Sequence, residues 1–196
     1  VYISLSKLQK QIVEMPDTNN DFELVRSFVS GDENSFNKIA LKYQEKIYWH
    51  ARKMTGNHLD ADEILQEVLL VLYNRLKSFR FKSSLYTWIY RITATRSINF
   101  TKRKKVRQFF SLEDKESLSL TGGSDIIKNI ENREKLSKLE SVLQKIPAKQ
   151  REVFIMRNFE ELSYEEIAEI TGRSMGGLKS NYFHAVKKIY ELMKDE

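Results

Sequence analysis

Apolar positions recur every three to four residues along most of the chain, the period of an α-helix with one buried face. Between Glu33 and Thr55 the inner line is Phe36, Ile39, Ala40, Tyr43 and Ile47. Gly31-Asp32 separates this helix from a shorter one that begins near Asp21, and Gly56-Asn57-His58 ends it. A third helix is expected from Asp60 to about Leu76. The loop Ser78–Ser84 then leads to a fourth, from Leu85 to about Lys105. Periodicity fails from Val106 to about Asn129, where Ser111, Ser117, Ser119, Thr121, Gly122, Gly123 and Ser124 have the composition of a flexible linker. It returns from about Ile130 with Leu136, Leu139, Leu143 and Ile146, until Pro147 breaks the helix. The expected fold is all-α, with two small helical domains, 21–105 and 130–196, joined by the flexible linker 106–129. Residues 1–20 are expected as a tail, in which Pro16-Asp-Thr-Asn-Asn20 follows a weakly amphipathic stretch.

The clearest local signal lies near the C-terminus. Ser163 and Glu166 have the spacing of a capping box. Ile167, Ala168 and Ile170 follow as an apolar face, and Gly172 suits a tight turn. Ser174 then caps a second helix through Tyr182, Val186, Ile189 and Met193. Two capped helices around a glycine turn form a helix-turn-helix, whose second helix enters the DNA major groove. Charge is divided accordingly. The first helix carries Glu165, Glu166 and Glu169, the second Lys179, Lys187 and Lys188. An ordinary helical hairpin with a solvated basic face is the competing reading of this segment alone.

Composition narrows the function classes. The chain has no cysteine, which removes thiol catalysis and Cys-ligated zinc and fits a reducing, cytoplasmic setting. Its net charge of +6 favours a polyanionic partner. No apolar run approaches a membrane span, and no signal peptide is recognised. Gly-rich phosphate loops, H-E-x-x-H and G-x-S-x-G are missing, so an enzyme is not expected. His50, His58 and His184 are scattered, and neither a metal site nor a cofactor is expected.

Two further constellations stand out. The segment Asp60-Ala-Asp-Glu-Ile-Leu-Gln-Glu67 opens a helix with acids that complement the helix dipole. Glu63 and Glu67 share one face and repel slightly unless a basic partner faces them. The stretch from Ser78 to Lys105 mixes aromatic rings with cations, a pattern suited to single-stranded nucleic acid. Arg80, Lys82, Arg91 and Arg96 have no local acids, which points to an anionic ligand. Ile89 and Ile92 read as core, and Trp88 fits either role.

The order of these pieces resembles the extracytoplasmic-function sigma factors, the small two-domain branch of the main bacterial sigma family. The resemblance spans about Asp21 to Lys188. It rests on Gly31-Asp-Glu-Asn-Ser-Phe36, Asp60-Ala-Asp-Glu-Ile-Leu-Gln-Glu-Val68, Thr87-Trp-Ile-Tyr-Arg-Ile92, Ile146-Pro-Ala-Lys-Gln-Arg-Glu-Val-Phe154 and Leu162-Ser-Tyr-Glu-Glu-Ile-Ala168. It implies that Asp60, Asp62, Glu63, Gln66 and Glu67 dock on core RNA polymerase. It implies that Arg80, Lys82, Ser83, Ser84, Trp88, Arg91, Arg96, Asn99, Lys102 and Arg103 read and hold the opened −10 promoter DNA. Arg173, Ser174, Lys179, Ser180, Asn181, Tyr182, His184, Lys187 and Lys188 would face the −35 element. The linker would thread toward the polymerase active centre. The implied partners are core polymerase, promoter DNA and an anti-sigma factor, with no membrane.

The chain departs from the family pattern in its last helix and in the −10 helix. Gly176 and Gly177 stand where the family usually has glycine then threonine. Asn181, His184 and Val186 stand where arginines are usual, and Thr95 replaces a common asparagine. Glycine offers no base contact, and the bidentate arginine contact to guanine is lost at Asn181. The expected function is an alternative sigma factor that brings polymerase to promoters and helps open the −10 DNA. One variant of that reading has weak −35 recognition and recruitment by a DNA-bound protein. A stand-alone helix-turn-helix regulator is the rival from another class, and it leaves the acidic and aromatic-basic helices unexplained.

Overall fold

The computed structural model describes residues 18–110 and 130–194, and all regular structure in them is helical. The first set is α1 (Thr18–Val29), α2 (Glu33–Thr55), α3 (His58–Arg75), a 3-10 turn (Leu76–Ser78) and α4 (Leu85–Phe110). The second is α5 (Ile130–Lys145), α6 (Ala148–Asn158), α7 (Tyr164–Thr171) and α8 (Met175–Lys194). The linker expected at 106–129 is shorter at its start, because α4 runs on through Val106 to Phe110. Helix α1 begins at Thr18, inside the tail expected at 1–20. Residues 1–17 and 111–129 lie outside the described residues.

Each boundary has a local cause. Asp32 caps α2 by accepting from Asn34 N at 3.0 Å, and Gly56 ends it in the left-handed region at φ 71°. Asn57 accepts from Asp60 N at 3.1 Å, so α3 begins at His58, two residues before the expected Asp60. Ser84 Oγ accepts from Thr87 N at 3.0 Å and starts α4. Ser163 and Glu166 form the capping box of α7, with Glu166 N to Ser163 Oγ at 3.1 Å and Ser163 N to Glu166 Oε2 at 2.7 Å. Gly172 closes α7 at φ 69°, and Gly177 N donates to Ser174 Oγ at 3.2 Å in the first turn of α8.

Helices α1 to α4 pack around Val25, Ile39, Ile47, Ile64, Val68, Leu72, Leu85 and Ile89. The second set packs around Val142, Leu143, Ile146, Phe154, Ala185 and Ile189. The two sets also share a core. Tyr90 and Ala94 of α4 are buried with Val153, Met156, Ile167, Ile170 and Leu178. Met54 and Ile98 are buried with Ile155. The two domains read from the sequence are therefore packed face to face.

Candidate polymerase and nucleic-acid interfaces

Helix α3 buries Ala61, Ile64, Val68 and Leu72 against α2 and α4. The opposite line, Leu59, Asp62, Glu63, Gln66 and Leu70, lies at i, i+3, i+4, i+7 and i+11 and is exposed throughout. Leu59 is 79% and Leu70 63% exposed, so the acidic face carries an apolar residue at each end. Asp60 and Glu67 stand apart from this line. Lys104 donates to Asp60 Oδ2 at 2.5 Å, Arg103 to Glu67 Oε1 at 3.0 Å, and Arg96 lies 3.6 Å from Glu67 Oε2. The basic partner that the acidic helix lacked in the sequence is thus supplied in part by α4 of the same chain. Arg96, expected to have no local acid, has one in Glu67.

The loop before α4 is built on rings packed edge to face or at a tilt. Phe79 packs on Trp88 at 5.2 Å between centroids, and Phe81 lies 5.0 Å from Phe79 and 5.1 Å from Phe22. Trp88 is half-buried, so it serves core and surface together. Phe81 holds φ 55°, a conformation that costs a residue with a Cβ about 1–2 kcal/mol. Such strain concentrates at functional sites. Arg80 and Lys82 flank that ring and are exposed, as are Asn99 and Lys102 further along α4. Ser83 and Ser84 are half-buried, and Ser84 is occupied by its cap. Phe81 lies in the aromatic-basic stretch read from the sequence but was not singled out there, because its particular signal is backbone conformation, which residue type does not display.

Arg91 is placed differently from expectation. Its Nη2 donates to Glu169 O at 2.6 Å and its Nε to Ile170 O at 3.3 Å. These are terminal carbonyls of α7, which have no partner within their own helix. The helix dipole favours a cation there. Arg91 is therefore engaged by the second domain in this structure.

On α8, Leu178, Ala185 and Ile189 face the core. The opposite side exposes Gly176, Lys179, Ser180, Phe183, His184 and Lys187. Lys188 is exposed beside this face. Several expected DNA contacts are committed elsewhere. Arg173 pairs with the buried carboxylate of Glu152, and Asn181 Nδ2 donates to Gly177 O of its own helix at 2.7 Å. Tyr182 stacks on Phe154 and donates to Asn158 Oδ1 at 3.2 Å. Ser174 caps the helix. Phe183, 63% exposed in the middle of the basic face, is an addition that periodicity alone discloses once the core side is known.

Both halves match known families. Residues 39–107 match the model of sigma-70 region 2, and residues 136–189 that of sigma-70 region 4. RNA polymerase sigma-H factor of Pseudomonas aeruginosa is 30% identical over 86% of this chain and 91% of its own. The ECF sigma factor SigW of Bacillus subtilis is 26% identical over 87% of this chain and 95% of its own. ECF sigma-E factor of Escherichia coli is 29% identical over 89% and 95%. Among solved structures, CnrH in complex with the cytosolic domain of CnrY covers 90% of this chain and 99% of its own, with TM-score 0.64 and 18% identity. RpoE from Bartonella quintana, in complex with the anti-sigma factor NepR, covers 81% and 96%, with TM-score 0.64 and 23% identity. These structures share the fold.

The protein is thus a transcription-initiation factor of the sigma-70 type, carrying regions 2 and 4. The chain belongs to the extracytoplasmic-function sigma factors, which bind core RNA polymerase and direct it to promoter DNA.

Proposed function

We propose that the exposed line of α3 is the docking surface for core polymerase, with Asp62, Glu63 and Gln66 at its centre and Leu59 and Leu70 at its ends. The observation that carries this reading is the contrast within one helix. Asp60 and Glu67 are bound by α4, while the line through Asp62 and Glu63 faces solvent. Asp60 and Glu67 then serve to hold α4 against α3. Reversing both Asp62 and Glu63 to Lys is expected to weaken polymerase binding by about 2–5 kcal/mol where the acids meet desolvated cations. Unchanged affinity for the double reversal in a pull-down titration would remove this assignment.

The proposed division is 21–110 for polymerase docking and −10 reading, and 130–196 for −35 reading. Arg80, Phe81, Lys82, Trp88, Asn99 and Lys102 form the −10 surface, with Ser83 and Ser84 setting the loop. Arg96 and Arg103 contribute field beside their Glu67 bridge, and Arg91 joins them when released from α7. A base taken from the stack costs a few kcal/mol, which ring stacking offsets. Alanine at Arg80 and Lys82 together is expected to reduce strand opening in a permanganate footprint while polymerase binding persists. Normal opening in that double variant would displace the site.

On α8, Lys179, Lys187 and Lys188 meet phosphates, while Ser180, Phe183 and His184 reach base edges. Phenylalanine makes apolar contact with a thymine methyl group. A second reading, recruitment by a DNA-bound protein, is supported by the commitment of Arg173, Asn181 and Tyr182 to protein contacts. Few base-reading groups remain, and phosphate contacts carry no sequence information. Selection by purified holoenzyme from a randomised −35 library separates the two, since a sharp consensus without another protein excludes recruitment. The complexes of CnrH and RpoE support an anti-sigma partner for this chain as well. The protein acts without covalent chemistry, in the cytoplasm where polymerase and promoter DNA meet. Among the described residues no helix is long and apolar enough to cross a membrane.

A further inference from the structure

Helix α1 lies outside the aromatic-basic stretch at 78–105, yet it repeats that chemistry beside it. Phe22 and Arg26 stand at i and i+4 on one face of the helix. Both meet Phe81. The Phe22 ring packs edge-on against it at 5.1 Å between centroids, and the Arg26 guanidinium lies over the Phe81 ring, 5.7 Å from its centroid. The helix that carries them is firmly held. Val25 and Phe28 anchor it in the core, and the carboxylate of Asp21, 0% exposed, accepts from Lys42 Nζ and Tyr43 Oη, each at 2.6 Å. A side chain on a rigid element is presented at a set position.

A cation over a ring is often only packing, and the chain offers a comparison. Lys77 Nζ lies over Phe28, 5.8 Å from its centroid, but Phe28 is 3% exposed and belongs to the core. Phe81 is 39% exposed and holds φ 55°, a conformation that a Cβ disfavours. The fold thus keeps this ring at the surface against its backbone preference and sets a charge on it. Arg26 is itself exposed, as are Arg80 and Lys82 on either side of Phe81 in the chain. None of the three makes an ion pair among the described residues. Unpaired cations around an open ring suit single-stranded nucleic acid, which brings a base for the ring and a phosphate for the charge. A guanidinium serves both, since it stacks on aromatic faces while its N–H groups donate to phosphate oxygens.

We infer that Arg26 of α1 is a further contact of the opened DNA strand, donating to the phosphate beside the base that stacks on Phe81. The inference rests on the −10 assignment of the loop and extends that site to a helix remote from it in the chain. Phe22 is a positioning residue here. It is half-buried and braces the edge of the Phe81 ring, as Phe79 does from the loop side at 5.0 Å. Arg26 covers the ring and supplies the charge, so base stacking and phosphate pairing are fixed relative to each other by two separate elements.

The test uses holoenzyme formed with the full chain. The probe is a single-stranded oligonucleotide carrying the non-template −10 strand of a promoter that this holoenzyme transcribes, and its affinity is measured against salt concentration. Each phosphate contact adds about 0.7 to the slope of log affinity against log salt for single strands. Arg26→Gln is expected to lower the slope by about that amount, which is about a fourfold loss of affinity at about 0.15 M salt. Arg26→Lys keeps the charge and is expected to keep the slope. Polymerase binding, read in parallel, is expected to be the same for both variants and the unsubstituted chain. An unchanged slope in Arg26→Gln overturns the inference even if affinity falls, because a residue that only covers the ring would shift affinity equally at every salt. Loss of slope in Arg26→Lys as well, or loss of polymerase binding in either variant, also overturns it by placing the effect in the fold of α1. The double variant Arg80→Gln, Lys82→Gln separates this inference from the reading beneath it. A lower slope for that pair with none for Arg26→Gln strikes Arg26 alone. No change for either removes the −10 surface itself.

Discussion

Arg151 shows how much one residue can hold. It is 1% exposed, and its guanidinium donates to Met54 O and Gln144 Oε1 through Nη1. Nη2 donates to Gln144 O at 3.0 Å and Ile146 O at 3.2 Å. One planar fork thus satisfies the C-terminal carbonyls of α2 and of the α5 end together. Burial pulls its pKa down to about 10, which leaves it charged at neutral pH. Arg151→Ala leaves those acceptors buried and is expected to cost about 3 kcal/mol in urea unfolding. A loss under about 1 kcal/mol would mean that water replaces the fork at no penalty. Side-chain commitments of this kind were the least legible feature of the sequence. Arg91, Arg96 and Asn181 carry the residue types of nucleic-acid contacts, and their partners come from segments remote in the chain or from their own helix.

At the scale of elements the sequence was largely sufficient. Both helix starts that a cap residue marked, at Ser163 and Ser174, appear at the next residue, and the start expected after Gly31-Asp32 falls at Glu33. Helix α7 has only eight residues, and both reciprocal bonds of its capping box are formed. Ser163→Ala is expected to cost about 1 kcal/mol. Faster hydrogen exchange at the amides of α7 than at those of α6 is the check. The end of α4 was placed at about Lys105 because apolar periodicity fails from Val106, whereas the helix runs on to Phe110. Within the expected part, ion pairs of Arg103 and Lys104 with Glu67 and Asp60 keep the helix against α3. Helix α4 did carry a signal of its second partner. Ile89 and Phe100 face one core, while Tyr90, Ala94 and Ile98, spaced by four, face another. A helix with apolar positions on more than one side is buried on more than one side.

At the scale of the whole molecule, Gly56 sits where the two domains meet. It ends α2 at φ 71°, and a Cβ there would stand 2.8 Å from Gln144 Cγ. Gln144 cannot simply swing away, since it is bonded to Lys53 O and Arg151. Gly56→Ala is expected to lose about 1–2 kcal/mol from the left-handed backbone alone and to loosen the junction besides. The measurable result is a lower denaturation midpoint together with reduced energy transfer between dyes placed at Leu41→Cys on α2 and Glu191→Cys on α8, both exposed, in a chain that has no cysteine of its own. A lower midpoint with unchanged transfer would confine the effect to α2.

The sequence by itself determined the helices, their caps, the two modules and the family. All of these depend on residue order over a few turns, through spacing, capping chemistry and glycine's freedom at positive φ. It also placed the acids of α3 and the cations around α4 on their proper elements. Only the tertiary structure decided which of those charges remain available. Asp60, Glu67, Arg91, Arg103 and Arg173 meet partners from other helices, while Asp62, Glu63, Arg80, Lys82 and Lys179 face solvent. A charge's value to a ligand depends on what else lies within a few ångströms. That distance is set when helices pack, and no local pattern encodes it.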